Sequence, residues 1–211
     1  MVAMPTGFAY DLLAGIVTLF VILDPIGAVP FFQSLTQGAT PAQRRRVASR
    51  SISIAIVLLL VFAYAGYGLL TLLGITVYDF EVAGGTLLFV FAIRDALSSE
   101  PLGASQSLDA ARKSETTFEH VAVIPLATPL LAGPGSLTTA ILLAHLDYGY
   151  VIAGIAIVVD GLIALAIFRA SDRLNRIIGP SGLMIIGKVL DILMAAIAVS
   201  YLVKGIVGLG F

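Results

Sequence analysis

Apolar residues in this chain neither alternate nor confine themselves to one helical face; they run on for lengths that only a lipid-embedded helix needs. Residues 12–43 contain a single charge, Asp24, and residues 51–78 and 120–146 contain none. Each run exceeds the roughly 20 residues a helix requires to cross a bilayer. Three further stretches, 79–97, 149–169 and 183–209, are apolar with few charges. The pattern predicts an all-α integral membrane protein with six transmembrane helices.

Two of those helices are interrupted by related octapeptides, LDPIGAVP at residues 23–30 and ATPLLAGP at residues 127–134. In each, a polar residue (Asp24, Thr128) precedes a proline (Pro25, Pro129), and a second proline follows (Pro30, Pro134), at a constant offset of 104 residues. Proline removes a backbone donor and clashes with the preceding turn, so the first and fourth helices are expected to break there. The same offset places Val47 on Val151, and a one-residue slip pairs Gly84 with Gly187. Three spans lie on either side of a polar stretch. The expected organisation is one membrane domain: repeat 1 over about residues 8–97, a cytoplasmic linker over 98–119, and repeat 2 over about 120–211. Three is odd, so the second copy enters the bilayer from the opposite side. Inverted three-helix repeats with broken helices typify secondary transporters with a site near the midplane. The competing reading is a chance recurrence of two proline boxes, because Pro and Gly are frequent in membrane helices.

Composition agrees with the pattern. Of 211 residues 59% are hydrophobic and 12% charged, with a mean hydropathy of +1.04, whereas a soluble domain carries about a quarter charged residues. The net charge of −1 names no partner, but the placement of the cations sets an orientation. Arg44, Arg45, Arg46 and Arg50 follow span one, Arg94, Arg112 and Lys113 follow span three, and Arg169, Arg173 and Arg176 follow span five, with Lys188 near the start of span six. Only Lys204 lies on the other side. The positive-inside rule makes those connections cytoplasmic and both termini extracytoplasmic, in a multi-pass protein of the cell (inner) membrane. The arginine run already has this topological role, so a nucleic-acid partner is not expected. The N-terminus lacks a basic leader and reads as a retained first span. With no cysteine, and with His120 and His145 near span ends, neither a disulfide nor a metal site is expected.

The boxes hold the candidate chemistry. In the second, Gly133, Gly135, Ser136 and Thr139 follow Thr128 and Pro129, and a helix restarting near Ser136 presents amides of Gly135, Ser136 and Leu137 to an anion. The alternative is a plain kink whose freed groups are satisfied by Ser136, Thr138 or Thr128. In the first box, Asp24 with Pro25 and Gly27 has three possible roles: holding an ammonium group, carrying a proton, or capping the restarted half-helix. Asp160 and Asp191 are two further intramembrane acids. Each shares a face with small residues, Ala153, Ala156 and Ala164 for one and Gly187, Ala195, Ala198 and Gly205 for the other. They are candidates for an ion-coupling relay together with Asp24, with Lys188 as a partner, or for a structural clasp between helices. No G-x-S-x-G elbow is present and His145 points away from Ser136, so an enzyme is not expected.

The segments FVILDPIGAVPFF and TPLLAGPGSLTT, with the Gly-containing third span and the Gly205, Ile206 close of the sixth, resemble the MarC family of six-span bacterial and archaeal membrane proteins. Members commonly carry Asn where this chain has Asp24. The resemblance implies a secondary transporter of small neutral amino acids such as glycine, alanine and threonine. It also implies coupling to protons or sodium, no other cofactor, and the lipid bilayer and a small zwitterion as partners. A zwitterion suits the boxes: the Gly135 and Ser136 amides for its carboxylate, Asp24 or the carbonyls around Pro25 and Gly27 for its ammonium. Two other classes fit less well. A membrane-embedded enzyme acting on a lipid or phosphate substrate needs a mid-span Arg or His, and a channel or drug exporter favours a polar stripe or a roomy aromatic pocket.

Overall fold

The computed structural model describes residues 7–97 and 126–210. The linker over 98–119, with Arg112 and Lys113, and the first residues of the fourth expected span, with His120, lie outside the described residues. Among the described residues the chain is helical and holds no strand. In order it forms α1 (Phe8–Leu23), α2 (Ala28–Leu35), α3 (Pro41–Leu72), α4 (Val77–Leu97), a π-helical segment (Leu126–Leu131), α5 (Pro134–Ala144), α6 (Gly149–Arg169) and α7 (Ser171–Gly208).

The expected first span is the pair α1 and α2, bent by 49° across the first proline box. Helix α3 begins well before the uncharged run that announced it. The Thr40 hydroxyl accepts from the Gln43 amide (3.3 Å) and the Gln43 side chain accepts from the Thr40 amide (2.9 Å), a capping box with Pro41 at the first helical position. The arginine run therefore lies on the first turns of a helix. Helix α7 is likewise longer than expected. It is interrupted at Gly179 (φ 77°, ψ 163°), ahead of Pro180, and the left-handed φ there needs glycine.

Three helices, α3, α6 and α7, are individually long and apolar enough to cross a membrane, and the bent pair α1 and α2 makes a fourth. Six spans were expected. Helix α4 has 21 residues but carries Asp79 and Glu81 at one end and Arg94 and Asp95 at the other, and α5 has 11 residues after the second break. Large apolar side chains such as Leu13, Val57, Val61, Leu162, Val189 and Val203 are exposed around the bundle. That much outward apolar surface suits lipid and not water.

Two antiparallel seams organise the interior. On the α4–α7 seam, a β-carbon added at Gly85 would stand 2.9 Å from the Ala198 carbonyl oxygen, and one at Gly205 would stand 2.8 Å from that of Tyr78. On the α3–α6 seam, Gly161 abuts Ile52 and Ile56, Gly154 abuts the Tyr64 hydroxyl, and Arg169 Nη2 donates to Ser49 Oγ (3.1 Å). Small residues let backbones approach, which is how helices associate where lipid offers no hydrophobic drive. The fully buried centre includes Leu19, Val29, Val47, Ala48, Ile152, Ala156 and Ile157.

Candidate functional site

The first break is built by Asp24. Its amide still donates to the Phe20 carbonyl (3.1 Å), closing α1, but its backbone turns left-handed (φ 38°, ψ 58°) and Pro25 cannot extend the helix. The carboxylate then folds forward: Asp24 Oδ1 accepts from the Gly27 amide (3.0 Å), and the Asp24 carbonyl accepts from the Ala28 amide (3.0 Å). Asp24 thus links both half-helices, the capping role among the three expected. A side chain at Gly27 would collide with that carboxylate. From the other side α7 closes in, since a β-carbon at Gly187 would lie 3.3 Å from the Gly27 Cα.

The second break has different geometry. Thr128 is extended (φ −143°, ψ 124°), as a residue before proline prefers, and is exposed among the described residues. The Ala132 amide reaches back to the Ala127 carbonyl (2.9 Å), Gly133 is extended, and Pro134 opens α5. The Leu137 amide donates to the Gly133 carbonyl (3.0 Å). Of the three amides expected to face an anion, Leu137 is therefore engaged in the helix, and those of Gly135 and Ser136 stand ahead of its ladder.

Hydroxyls of the second box turn towards carbonyls, as the kink reading expects. Ser136 Oγ lies 2.7 Å from the Leu131 carbonyl oxygen and 3.0 Å from that of Gly133, Thr138 donates to Pro134 (2.8 Å) and Thr139 to Gly135 (2.9 Å). The side chains hold the bend and leave the first amides of α5 to other acceptors. Gly135 is packed by neighbours: a β-carbon there would collide with Leu88 and lie 3.4 Å from Ile22. Ile22 precedes Asp24 by two positions, so the two breaks adjoin. Leu23 and Leu131, one from each break, also line the same small cavity with Ile157 and Gly161.

The acids separate into two groups. The charges acting on Asp24 are those of Asp191 and Asp95, and those acting on Asp191 are Asp95 and Lys188. Lys188 Nζ donates to the Asp95 carbonyl, tying α7 to α4 beside the first break. Asp191 is 3% exposed and its Oδ1 has no hydrogen-bond partner among the described residues. Asp160 is apart. It is fully buried, neither carboxylate oxygen has a partner among the described residues, and no described charge lies against it. The structure brings Asp24 and Asp191 together and does not bring Asp160 to them.

Two residues that the sequence did not single out adjoin the second box. The Tyr201 hydroxyl lies 3.2 Å from Thr139 Oγ1, both buried, and Glu81 Oε2 is buried without a partner among the described residues, with the charge of Lys204 nearby. Tyr201 follows Ala198 and precedes Gly205 at helical spacing, so the small face of α7 already contained its signal. Among the described residues no cluster of acids or histidines is arranged to hold a metal ion.

Exposed apolar helices around a core that shelters acids and two proline breaks define a polytopic integral membrane protein. Residues 10–209 match the family profile described as MarC family integral membrane protein. The chain belongs to the MarC family. It is 32% identical over 206 residues to a UPF0056 membrane protein of Archaeoglobus fulgidus, covering 95% of this chain and 94% of that one. It is 31% identical to the UPF0056 membrane protein YhcE of Escherichia coli, covering 90% and 89% of the two chains. Against the UPF0056 inner membrane protein YhgN of Escherichia coli the identity is 29%, over 93% and 96%. No solved structure matches the chain.

Proposed function

We propose that this protein is a secondary transporter of small neutral amino acids, the glycine, alanine and threonine class, coupled to protons or sodium. The observation that carries the reading is the meeting of two unlike helix breaks inside the bundle, an acid at one and, at the other, first amides of α5 that have no hydrogen bond among the described residues. A zwitterion offers each break the charge it suits: ammonium to Asp24 and the carbonyls near Pro25 and Gly27, carboxylate to the Gly135 and Ser136 amides. Gly133 and Thr128 shape the second break, and Thr139, held by Tyr201, borders it. Asp24 and Asp191 form the nearer part of the ion-coupling path and Asp160 the remote part.

Alternating access between two inverted three-helix repeats is the proposed mechanism, with α1 and α2, α3 and α4 in one repeat and the π segment with α5, α6 and α7 in the other. Helix contacts support the exchange. The second spans, α3 and α6, cross antiparallel, and so do the third spans, α4 and α7. Gly84 of α4 packs on Thr138 of the second broken span, and Gly187 of α7 packs on Gly27 of the first. These are the glycines that the repeat offset pairs after a one-residue slip.

Uptake of labelled glycine, alanine and threonine into proteoliposomes, with and without an imposed proton or sodium gradient, tests the proposal. Saturable uptake of at least one, accelerated by one gradient, is expected. No saturable flux of any of the three under either gradient removes it.

A further inference from the structure

Away from both breaks, at the arginine-rich end of the bundle, a cavity of about 120 Å³ opens between α2, α3, α6 and α7. Its floor is apolar. The rings of Phe32 and Phe168 stack there with centroids 4.9 Å apart and planes 2° from parallel. Its rim carries Arg44, Arg45 and Arg169 against one acid, Asp172.

The three guanidinium groups are not equally engaged. Arg44 donates through Nε to Thr36 (3.0 Å) and through Nη1 to both Asp172 oxygens (2.7 Å). Arg169 gives one N–H to Ser49 (3.1 Å), and Arg45 is exposed with no hydrogen bond or ion pair among the described residues. Ser171, on the same rim, begins α7, whose first turn has no side-chain cap. Two guanidinium forks and an uncapped helix start therefore surround a cavity with a surplus of positive charge.

We propose that this cavity is a binding site for a phosphate group, held by Arg45 and Arg169 with Arg44 as its back wall. Guanidinium matches phosphate with paired parallel hydrogen bonds, which a diffuse positive surface does not supply. The phosphate is either that of an anionic lipid headgroup or a free phosphate in solution. Basic pockets between helices at a membrane boundary suit the first, and the open rim admits the second. Asp172 is the internal competitor, because it neutralises Arg44 within the same cavity. The site is independent of the amino acid reading.

Delipidated full-length protein is titrated with phosphatidylglycerol, with phosphatidylcholine and with inorganic phosphate, followed by native mass spectrometry and thermal melting. Binding of phosphatidylglycerol over phosphatidylcholine is expected if a lipid is the source, and saturable stabilisation by inorganic phosphate if the source is free. The R45Q/R169Q double variant is expected to weaken either by about tenfold or more. Asp172→Asn, which removes the competing charge and keeps the side chain's shape, is expected to tighten it. A second pair, Arg45→Lys with Arg169→Lys, keeps the charge and the fold, and is expected to bind several-fold more weakly because the fork is lost. Wild-type affinity in R45Q/R169Q or in the lysine pair, weaker binding in Asp172→Asn, or no preference for either phosphate probe over phosphatidylcholine overturns the proposal.

Discussion

Asp24 occupies a left-handed conformation that costs a non-glycine residue about 1 to 2 kcal/mol, and the bond from the Gly27 amide to its carboxylate offsets that cost. Asparagine has the same shape and keeps an acceptor at that position, so Asp24→Asn should leave thermal melting in detergent nearly unchanged. Asp24→Ala removes the acceptor and leaves the strain, and should lower stability by about 1 to 2 kcal/mol. In the transport assay Asp24→Asn is expected to retain substrate binding and lose gradient-driven accumulation. Full coupling in that variant would restrict Asp24 to its cap. The second break gives a complementary expectation at Ser136, whose hydroxyl serves the carbonyls of Leu131 and Gly133 while its amide stands ahead of the α5 ladder. Ser136→Ala should cost about 1 kcal/mol of stability and change the half-saturation concentration for glycine little. A large loss of affinity without loss of stability would mean that the hydroxyl, and not the amide, meets the ligand. Of these details, the positions of the breaks were legible from Pro25 and Pro129. The division of labour between hydroxyl and amide was not, because it depends on where the ladder of α5 resumes.

Glycine at helix contacts matters differently from one seam to another. Gly85 lets the backbone of α4 meet that of α7, 2.9 Å from a would-be β-carbon to the Ala198 carbonyl oxygen, whereas nothing lies within 4 Å of Gly68 on α3. Gly85→Val should therefore destabilise by about 1 to 3 kcal/mol through overpacking, while Gly68→Ala should be neutral or raise stability by about 0.5 to 1 kcal/mol through helix propensity. Equal melting temperatures for the two variants would refute the close α4–α7 seam. The small-residue stripes that form this seam could be read from spacing alone, as could the Gly84 and Gly187 pairing. Which stripe meets which could not, because apolar periodicity marks a face without naming its partner. The start of α3 is spelled out in the sequence ahead of its uncharged run. Thr40, Pro41 and Gln43 spell a capping box, but the uncharged run begins only at residue 51, so the arginines looked like a loop although arginine is a good helix former. The kink at Gly179 and Pro180 was masked in the same way by charges at Arg173 and Arg176.

Contacts at the two ends of the bundle bear on how many elements cross it. At one end Arg44 pairs with Asp172 (2.7 Å), Gln33 donates to the Ser171 carbonyl (3.1 Å) and Phe32 stacks on Phe168, joining the close of α2, the start of α3, the close of α6 and the start of α7. At the other end Tyr64 stacks on Tyr150 (5.6 Å), Tyr67 meets His145 (4.4 Å) and Phe8 meets Tyr148 (6.1 Å). These join the start of α1, the close of α3 and the turn between α5 and α6, while Gly208 meets Tyr78 where α7 ends and α4 begins. The pair α1 and α2, and helices α3, α6 and α7, thus run from one group of contacts towards the other, and the proposed six crossings need α4 and the second broken span to do the same. The absence of cysteine makes the count directly measurable, since any introduced thiol is the only one. Single variants Gly7→Cys, Gln37→Cys, Leu73→Cys, Asp147→Cys, Arg173→Cys and Leu209→Cys sample the exposed ends of the described helices. With six crossings and the arginine-rich end inside, a membrane-impermeant maleimide on intact cells should label positions 7, 73, 147 and 209, and reach 37 and 173 only after the membrane is opened. Three or five crossings would put 7 and 209 on opposite sides, and a re-entrant first pair would put 7 and 37 on the same side. Either result would remove the inverted topology proposed for the two repeats, and with it the proposal that both breaks face one zwitterion near the midplane.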